Sequence, residues 1–451
     1  MVETAAATAA WHPTEEACKL SHMASATSST PTGDVAPPAA ADMSPSPAST
    51  QAGVRAAGGG RRGGWLALAA AAAVFALMVA LRYHRVMADA TVDLKAYQGG
   101  VRAMFHGGSL YAHRRHTLPF TYPPFAAFVL WPLNFVSLTT ARAAMALASL
   151  VSSVVIIEAS LRLALGRGQP RIRWAMAIAA APFAILLEPV ASTYNYGQVD
   201  LILLALLLTD LSVTHRRFPQ GALTGIAAAI KLQPALFIVY FALTRRFKAA
   251  AVATGVFVGS ILLSFVLVPH DARRYWTVLV FDTSRVGRPA AETNQSIAGS
   301  LARLTHNAHW AHSLWYLLAA LTLCGGLAVA ARLYRQGQNL WAVCACGLTG
   351  LAAGPISWDH HWVWVVPISV ALACSAATRR SAWLGLATLA WCLLFWAAPI
   401  WRVPYKHAAV YHQHGIQHLY SVSFILAGLV VLAALGVWTL RRPIPTNPAS
   451  G

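Results

Sequence analysis

Side chains that could do chemistry are scarce in this chain, which has 34 Lys and Arg and only 15 Asp and Glu among 451 residues. Asp93 is the best placed carboxylate, because it lies in a short patterned segment, VDLKAYQGG, soon after the first long apolar run. A positioned carboxylate can act as a general base and take a proton from a reacting hydroxyl. The alternative is that Asp93 only caps a helix predicted over 94–102.

Lys231 lies in the middle of the apolar stretch 221–243. Placing a lysine inside a membrane costs about 2.5–3.5 kcal/mol on insertion scales. That cost is understandable if the ammonium group faces a cavity or binds an anion. The other explanation is that the long side chain reaches the membrane interface. The first explanation predicts an anion-binding lysine.

Two adjacent histidines, His360 and His361, lie between an aspartate and two tryptophans in the segment SWDHHWVW. Neighbouring positions on a helix point about 100° apart, so a shared metal is less expected than for an i, i+4 pair. We expect a histidine here to hydrogen-bond a phosphate or a hydroxyl. The alternative is an interfacial belt of His and Trp. Asp359, beside Trp358, is expected to cap the next helix.

Amides and arginines complete the set of candidates. The amides could hydrogen-bond sugar hydroxyls or cap helices, and the arginines could bind phosphate; they are Asn195, Gln198, Asn294, Gln295, Arg102, Arg285 and Arg288. The predicted first outer loop has no Asp-x-Asp pair, so no cofactor is expected to be required, although a divalent metal is not excluded. The six cysteines have no metal-binding or redox spacing and are expected to be small core residues.

Composition indicates what must position these residues. The chain is 57% hydrophobic and 11% charged, against roughly 45–50% and about 25% for soluble domains, which excludes an ordinary soluble enzyme. The net charge is +19, and the basic residues lie between long apolar runs. It is therefore expected to set membrane topology or bind anionic lipid, and not to bind nucleic acid.

Apolar runs predict an all-α polytopic membrane protein with about twelve transmembrane helices. Residues 1–60 are expected to be a disordered cytoplasmic tail, 61–442 the membrane domain and 443–451 a short cytoplasmic tail. Stretch 221–243 is predicted to be a hairpin of two short helices with Lys231 at its tip, because basic residues flank both ends. Segment 120–137 contains three prolines and is predicted to be a juxtamembrane or re-entrant part of the first outer loop. The predicted spans lie at 65–81, 141–163, 174–190, 199–213, 249–268, 311–333, 339–356, 361–377, 381–399 and 419–440.

With this topology, basic residues flank the short cytoplasmic loops and polar segments gather at the outer face of the plasma membrane. Several polar segments resemble, in order and approximate spacing, glycosyltransferase family 87 of the C-type (GT-C) membrane glycosyltransferases. The resemblance spans about 85–440. The segments are VDLKAY, GGSLY, FTYPPFAAFVLWPL, YNYGQVDLILL, GALTGIAAAIKLQPALF, NQSIAGSLAR and PISWDHHWVWVVP.

The resemblance implies a GT-C bundle that uses a polyprenyl-phosphate-mannose donor at the extracytoplasmic face. It is strongest to actinobacterial α-(1→2)-mannosyltransferases, whose acceptors are phosphatidylinositol mannosides or lipomannan. It implies that Asp93 is the catalytic base, that Trp358, His360 and His361 form the family's Trp-x-His-His segment, and that Lys231 and Tyr122 contact substrate. Asp200 stands where such sequences often have Asn, which leaves its role open.

Three alternatives remain at this stage. A lipid-linked arabinosyl or glucosyl transferase of the same superfamily would differ in a few sugar contacts. A transporter could use Asp, Lys and His as a proton or substrate path, but the two halves show no repeat. A lipid-binding scaffold would make Asp93 dispensable.

Overall fold

The computed structural model describes residues 91–112, 118–213, 218–405 and 407–442, together with two isolated positions, Ala73 and Leu77. The predicted tails, 1–60 and 443–451, and all but those two positions of the predicted first span lie outside the described residues. Within the described ranges, every regular element is helical. The prediction of an all-α fold is therefore confirmed for these residues.

The described helices follow one another with short connections. In chain order they are α1 (Val92–Phe105), α2 (Pro124–Leu130), α3 (Leu138–Leu165), α4 (Pro170–Ala184), α5 (Glu188–Tyr196), α6 (Asp200–Ser212), α7 (Ala222–Ile230), α8 (Leu236–Leu243), α9 (Phe247–Leu267), α10 (Pro269–Arg274), α11 (Ile297–Leu304), α12 (His309–Arg335), α13 (Asn339–Ala353), α14 (Val365–Arg379), α15 (Ala382–Ala397), α16 (Gln417–Ser421) and α17 (Ser423–Leu440). Short 3₁₀ segments include Trp131–Phe135, Gln233–Ala235 and Asp359–Trp364.

Five described helical segments are long and apolar enough to cross a membrane. A sixth span is possible if α4 and α5, which meet at a 76° bend, are counted as one. Several expected spans are shorter: α6 has 13 residues, α13 has 15 and α15 has 16. The predicted number of about twelve therefore stays a prediction. The five segments are Leu138–Leu165, Phe247–Leu267, His309–Arg335, Asp359–Arg379 and Ser423–Leu440.

Small residues allow these helices to pack closely. A Cβ atom on Gly326 of α12 would lie 2.0 Å from the Thr349 hydroxyl of α13, so only glycine fits at this crossing. A Cβ atom on Gly225 of α7 would lie 2.7 Å from the Ala253 carbonyl of α9. Such contacts are typical of helices that associate through small residues in a membrane.

The apolar stretch 221–243 is interrupted at Lys231, as the sequence predicts. Helix α7 ends at Ile230, Lys231 is extended, and the 3₁₀ segment Gln233–Ala235, which contains Pro234, leads into α8. Gly221, immediately before α7, lies against Ala249 near the start of α9. The end of α8 is also close to the start of α9, because only three residues separate the two helices. The two short helices therefore fold back on each other, with Lys231 at the end far from α9's start.

The proline-rich segment 120–137 folds into α2 and the 3₁₀ segment Trp131–Phe135. It packs on α1 in an apolar cluster around Leu94, Tyr97 and Phe120. This cluster is distinct from the main core of the helical bundle. Segment 120–137 is therefore a largely helical layer that carries Tyr122 just before α2; its placement at a membrane surface stays a prediction.

Candidate active site

A large cavity brings most of the predicted residues together. Its volume is about 1120 Å³, slightly above the roughly 300–1,000 Å³ usual for ligand sites. One part of its wall is polar and another is apolar, with Leu236, Val239 and Leu323. The predicted residues that line it are Asp93, Tyr122, Gln198, Lys231, Arg285, Arg288, Trp358, His360 and His361.

Asp93 lies in the first turn of α1, where the cavity begins. The residue before the helix is Thr91, whose N–H donates to the carbonyl of Asn195 at 2.9 Å and so ties α1 to the end of α5. Gly197 has φ of +72°, and a Cβ atom there would lie 2.8 Å from Leu94. Only glycine suits that turn, and it allows Gln198 to approach α1.

The surroundings of the Asp93 carboxylate raise its pKa. Burial raises its pKa, while the nearby His360, a hydrogen bond from Gln198 and the charge of Lys231 partly oppose that rise. A carboxylate with a raised pKa is a stronger proton acceptor in its ionised form. The first helical turn carries Asp93, but the residue at the N-cap position is Thr91. Asp93 is thus not the cap that the alternative reading proposed.

Gln198 links Asp93 to two buried tyrosines. Its Oε1 accepts from the hydroxyls of Tyr97 and Tyr122, each at 2.7 Å, and those hydroxyls are 2.9 Å apart. Its side chain also hydrogen-bonds Asp93. Burial raises the pKa of both tyrosines well above the usual value, so both remain neutral donors.

Lys231 points toward the same corner of the cavity. Its Nζ lies 2.7 Å from Oδ1 of Asp200, at the start of α6, and 5.5 Å from the centre of the Tyr122 ring. The ion pair and the aromatic ring explain how a lysine is held within an apolar stretch. Asp200, whose role the sequence left open, therefore pairs with Lys231.

The Trp-x-His-His segment is anchored by its tryptophans. Trp362 is fully buried, with its ring against Gly428 of α17, and Trp364 stacks on Phe237 with its ring over Gly347. His360 and His361, immediately before these anchors in the chain, line the cavity, and His360 contacts the ring of Tyr196. Burial of the tryptophans therefore fixes the histidines at the cavity wall.

Three residues in the described ranges could together hold a metal ion: Asp200, His360 and His361, whose donor atoms lie within 4.8 Å of one another. Oδ2 of Asp200, Nε2 of His360 and Nδ1 of His361 lack a hydrogen-bond partner in the described part of the chain. Oδ1 of Asp200 already pairs with Lys231. The corner thus combines a fixed cation with unpaired donors and acceptors, which suits a polar ligand.

Four predicted residues do not line the cavity. Asn195 is buried in the last turn of α5, and Arg102 is exposed in the last turn of α1. Asn294 donates to the carbonyls of Pro289 and Pro355 and accepts from the N–H of Ser357. Gln295 makes similar backbone contacts. These two amides hold the loop before α11 in shape.

The two candidate arginines of the cavity wall also bind backbone carbonyls. Arg285 donates to Leu279, Phe120 and Thr121, each at 3.1 or 3.2 Å. It thereby fixes the segment that carries Tyr122. Arg288 donates to the carbonyl of Tyr405 at 3.2 Å and is exposed. Of the two side chains, that of Arg288 is the more exposed.

Sequence reasoning missed three cavity residues or close neighbours. Tyr97 was visible only as part of VDLKAY, and its contact with Gln198 bridges distant segments. Glu292 lines the cavity with an unpaired Oε2, and burial raises its pKa. Asp359 also lines it, with an unpaired Oδ2, although it was expected to be a cap. The polar neighbours of Glu292 and Asp359 in the sequence gave the only signal.

An all-helical protein with candidate membrane spans, whose cavity joins a carboxylate, a fixed cation and an apolar wall, belongs to the class of membrane enzymes. The chain belongs to glycosyltransferase family 87, whose family model matches residues 120–355. The family predicted from the sequence is thereby confirmed. No solved structure matches this chain.

Named relatives cover most of the chain. A Mycobacterium tuberculosis (strain ATCC 25618 / H37Rv) protein is 33% identical over 372 residues, which are 78% of this chain and 86% of the relative. A Mycolicibacterium smegmatis protein is 35% identical over 69% of this chain and 76% of its own length. Both are named polyprenol-phosphate-mannose-dependent alpha-(1-2)-phosphatidylinositol mannoside mannosyltransferases. A second M. tuberculosis relative (strain CDC 1551 / Oshkosh), 34% identical over 69% of this chain and 75% of its own length, is named for phosphatidylinositol pentamannoside.

Proposed function

We propose that this protein transfers mannose from polyprenyl-phosphate-mannose to a phosphatidylinositol mannoside or lipomannan acceptor and forms an α-(1→2) linkage. The observation that carries the proposal is the shared cavity of Asp93 and Lys231, a base and a cation on one ligand-sized space. The names of the relatives supply the sugar, the lipid carrier and the acceptor class. The family supplies the reaction type.

The chemistry is a single displacement at the anomeric carbon. The acceptor oxygen forms a bond to that carbon while the bond to the lipid phosphate oxygen breaks, and the bonding pair leaves with the phosphate. Asp93 receives the proton of the acceptor hydroxyl. Inversion of a β-linked donor yields the α-mannoside.

Lys231 is the group proposed to stabilise the leaving phosphate. A cation held in place before reaction stabilises developing negative charge without reorganisation. Its pairing with Asp200 and its contact with Tyr122 fix its position. His360 and His361, which lie near Asp200 in the same corner, offer hydrogen bonds to the phosphate or to sugar hydroxyls. No cofactor is required in this scheme.

The two walls of the cavity match a substrate with a polar head and a long apolar tail. The sugar and phosphate would occupy the end with Asp93 and Lys231. The polyprenyl chain would follow the apolar wall at Val239 and Leu323, of which Leu323 lies within the candidate span His309–Arg335. A lipid-linked sugar could then react while its tail remains in the membrane.

The experiment that tests the proposal is transfer by the purified protein in lipid vesicles. Radiolabelled mannosyl, glucosyl and arabinosyl phosphoryl polyprenols are offered in parallel with phosphatidylinositol mannoside acceptors. We expect label to move only from the mannosyl donor, and an α-(1→2)-specific mannosidase to release it. Transfer from the glucosyl or arabinosyl donor alone would reject the proposed donor, and no transfer from any donor by folded protein would reject the proposed reaction.

The active site is proposed to face the extracytoplasmic side of the plasma membrane. Asp282 lines the cavity and is exposed, whereas Arg245, also exposed, lies on a loop expected in the cytoplasm. In a chain without native cysteines, a cysteine at Asp282 should react with a membrane-impermeant maleimide in intact cells. A cysteine at Arg245 should react only after lysis, and the opposite pattern would invert the topology.

A further inference from the structure

Tyr97 is a buried polar residue that the proposed reaction does not use directly. It is about 1% exposed, and it does not line the cavity. Its hydroxyl is one of two that converge on Oε1 of Gln198. Because no substrate can touch Tyr97 in this arrangement, any effect it has on transfer must act through its neighbours.

The hydroxyl geometry determines which way the Gln198 amide points. Three oxygens, those of Tyr97, Tyr122 and Gln198 Oε1, lie 2.7–2.9 Å apart, while the two hydroxyls have only two protons to share. In every arrangement that uses both protons within this triangle, Oε1 accepts at least one of them. The NH₂ group of Gln198 is then the part of the amide that donates to Asp93.

The opposite amide orientation is unfavourable for a simple electrostatic reason. It would place Oε1 against the Asp93 carboxylate, where two acceptors would face each other. It would also remove the acceptor on which the tyrosine protons converge. Leaving a buried polar group unpaired is unfavourable, so the two hydroxyls and Asp93 together favour one orientation.

We propose that Tyr97 is a positioning residue: with Tyr122 it fixes the Gln198 amide so that its NH₂ group holds the Asp93 carboxylate toward the acceptor hydroxyl. This inference rests on the proposed role of Asp93 as the base. It assigns a task to a residue that is outside the cavity and that sequence analysis had not selected. The same contacts account for the use of Gln198, rather than a charged residue, beside the base.

The test compares two tyrosines in the same apolar cluster. Tyr97→Phe removes a hydroxyl that reaches Gln198. Tyr111→Phe is the matched control, because the Tyr111 hydroxyl is also buried but donates at 2.9 Å to the backbone carbonyl of Tyr122. Purified variants are compared in kcat, in KM for donor and acceptor, in the pH dependence of kcat/KM and in thermal midpoint.

We expect Tyr97→Phe to lower kcat about tenfold, which is less than the roughly hundredfold effect of a 1 Å misplacement. KM for both substrates should change less than about twofold, because Tyr97 touches neither. Loss of a hydrogen bond to the ionised carboxylate raises its pKa, so the acidic limb of the pH profile should move to higher pH. Tyr111→Phe should leave kcat and this limb unchanged.

The other charged or titratable groups around Asp93 are the same in all variants. They are His360, Lys231 and Asp200, so a movement of the limb that occurs only in Tyr97→Phe is due to the hydroxyl network. A Tyr97→Phe enzyme that matches wild type in kcat and in its acidic limb would overturn the inference. Equal losses in Tyr97→Phe and Tyr111→Phe, with equal losses of thermal midpoint, would also overturn it, because they would indicate general packing.

A second variant keeps the inference testable if Tyr97→Phe does not fold. Gln198→Met removes the donor to Asp93 and leaves the two tyrosine hydroxyls 2.9 Å apart and able to bond each other. Its acidic limb should move in the same direction, and an unmoved limb would reject the inference. The wild-type enzyme separates this result from the proposed function, because failure of wild type to transfer any sugar would reject the reaction itself.

Discussion

Two amide-rich segments of similar composition perform different tasks in this protein. In the segment 194–200, Gln198 accepts hydrogen bonds from two tyrosine hydroxyls and forms a hydrogen bond with the carboxylate of Asp93 at the cavity wall. In the segment 293–303, Gln295 donates to the carbonyls of Glu292 and Ser421 and accepts from the N–H of Phe424. The first segment binds titratable side chains and the second binds backbone.

The difference teaches that the partners of an amide, and not its type, decide its role. A side chain whose polar atoms all bind backbone groups has no capacity left for a ligand. A side chain that bonds a titratable group can influence a reaction. Variants in the first region should therefore lose transfer and keep their fold, whereas variants in the second region should lose stability first.

The largest expected effect is that of Asp93→Asn. Loss of a general base lowers rates by typically 10²–10⁴-fold, so kcat should fall by about that range. Stability should not fall. Burial raises the pKa of Asp93 in the folded protein. At any pH above the unfolded-state pKa, the ionised carboxylate therefore lowers the free energy of unfolding. Removal of the charge should stabilise the fold or leave it unchanged near neutral pH.

The measurement is mannosyl transfer beside the thermal midpoint in detergent. Asp282→Asn is the control, since Asp282 lines the same cavity but is exposed and has its own contacts with Ser284. Near-normal kcat in folded Asp93→Asn would assign the base elsewhere and would remove the contrast between the two segments.

Lys231→Gln should have the next largest effect. Removal of one preorganised donor to a developing oxyanion lowers kcat by about 10²–10³-fold in other enzymes, and a similar loss is expected if the leaving phosphate contacts Lys231. The effect should depend on the donor lipid and be small for acceptor KM. Because Lys231 pairs with Asp200 at 2.7 Å, the variant also leaves a buried carboxylate without its cation.

A double variant separates these two effects. Lys231→Gln with Asp200→Asn removes both charges, so stability lost through the unpaired carboxylate should return while transfer should not. Recovery of transfer in the double variant would show that Lys231 only neutralises Asp200. The readouts are donor-dependent kcat/KM and thermal midpoint for the two single variants and the double variant.

Arg303→Met tests the second region, and there stability should be affected first. Arg303 is about 2% exposed and donates to the carbonyls of Ala291, Asn294 and Ser421. Each buried acceptor that loses its donor costs about 1–3 kcal/mol, so a clear fall in thermal midpoint is expected. The rate of transfer per folded molecule should stay within about threefold of wild type. Such a change corresponds to less activation free energy than the 1.36 kcal/mol of a tenfold change in rate.

The control is Arg335→Met, because Arg335 is exposed in the last turn of α12. It should change the midpoint little. A normal midpoint in Arg303→Met together with a large loss of transfer would mean that the second segment acts on substrate after all, and the comparison would fail.

Sequence reasoning recovered much of the cavity because unusual residues in apolar surroundings are informative. A lysine in an apolar stretch and two histidines between tryptophans have few structural explanations, and both were found at the cavity. Asn294 and Gln295 could not be separated from Gln198 in the same way. Their difference lies in contacts across more than 60 residues of sequence, such as Ser357 N–H to Asn294 Oδ1.

The fold was predicted best where one long apolar helix forms a candidate membrane span. The candidate spans at 138–165, 247–267, 309–335 and 423–440 match predicted runs closely. Short helices were predicted less well, because 174–190 extends across a 76° bend between α4 and α5. Hydropathy measures the length of an apolar run, but it does not report a bend made at Ile185–Leu187, where local turn bonds replace the helical ladder.

The smallest expected effect is that of Arg102→Ala. The sequence suggested Arg102 as a phosphate ligand, but it is exposed in the last turn of α1 and does not line the cavity, while Asp93 lies at the other end of the same helix. A cation near a helix C-terminus contributes typically 0.3–1 kcal/mol through the helix dipole. We therefore expect a small fall in thermal midpoint and transfer within about twofold of wild type, since an exposed cation beyond a Debye length of about 10 Å is largely screened. The control is Lys95→Ala, because Lys95 is exposed on the same helix. A tenfold rise in donor KM in Arg102→Ala but not in Lys95→Ala would place the donor phosphate outside the cavity. Arg102 would then be a substrate-binding residue and not a structural one.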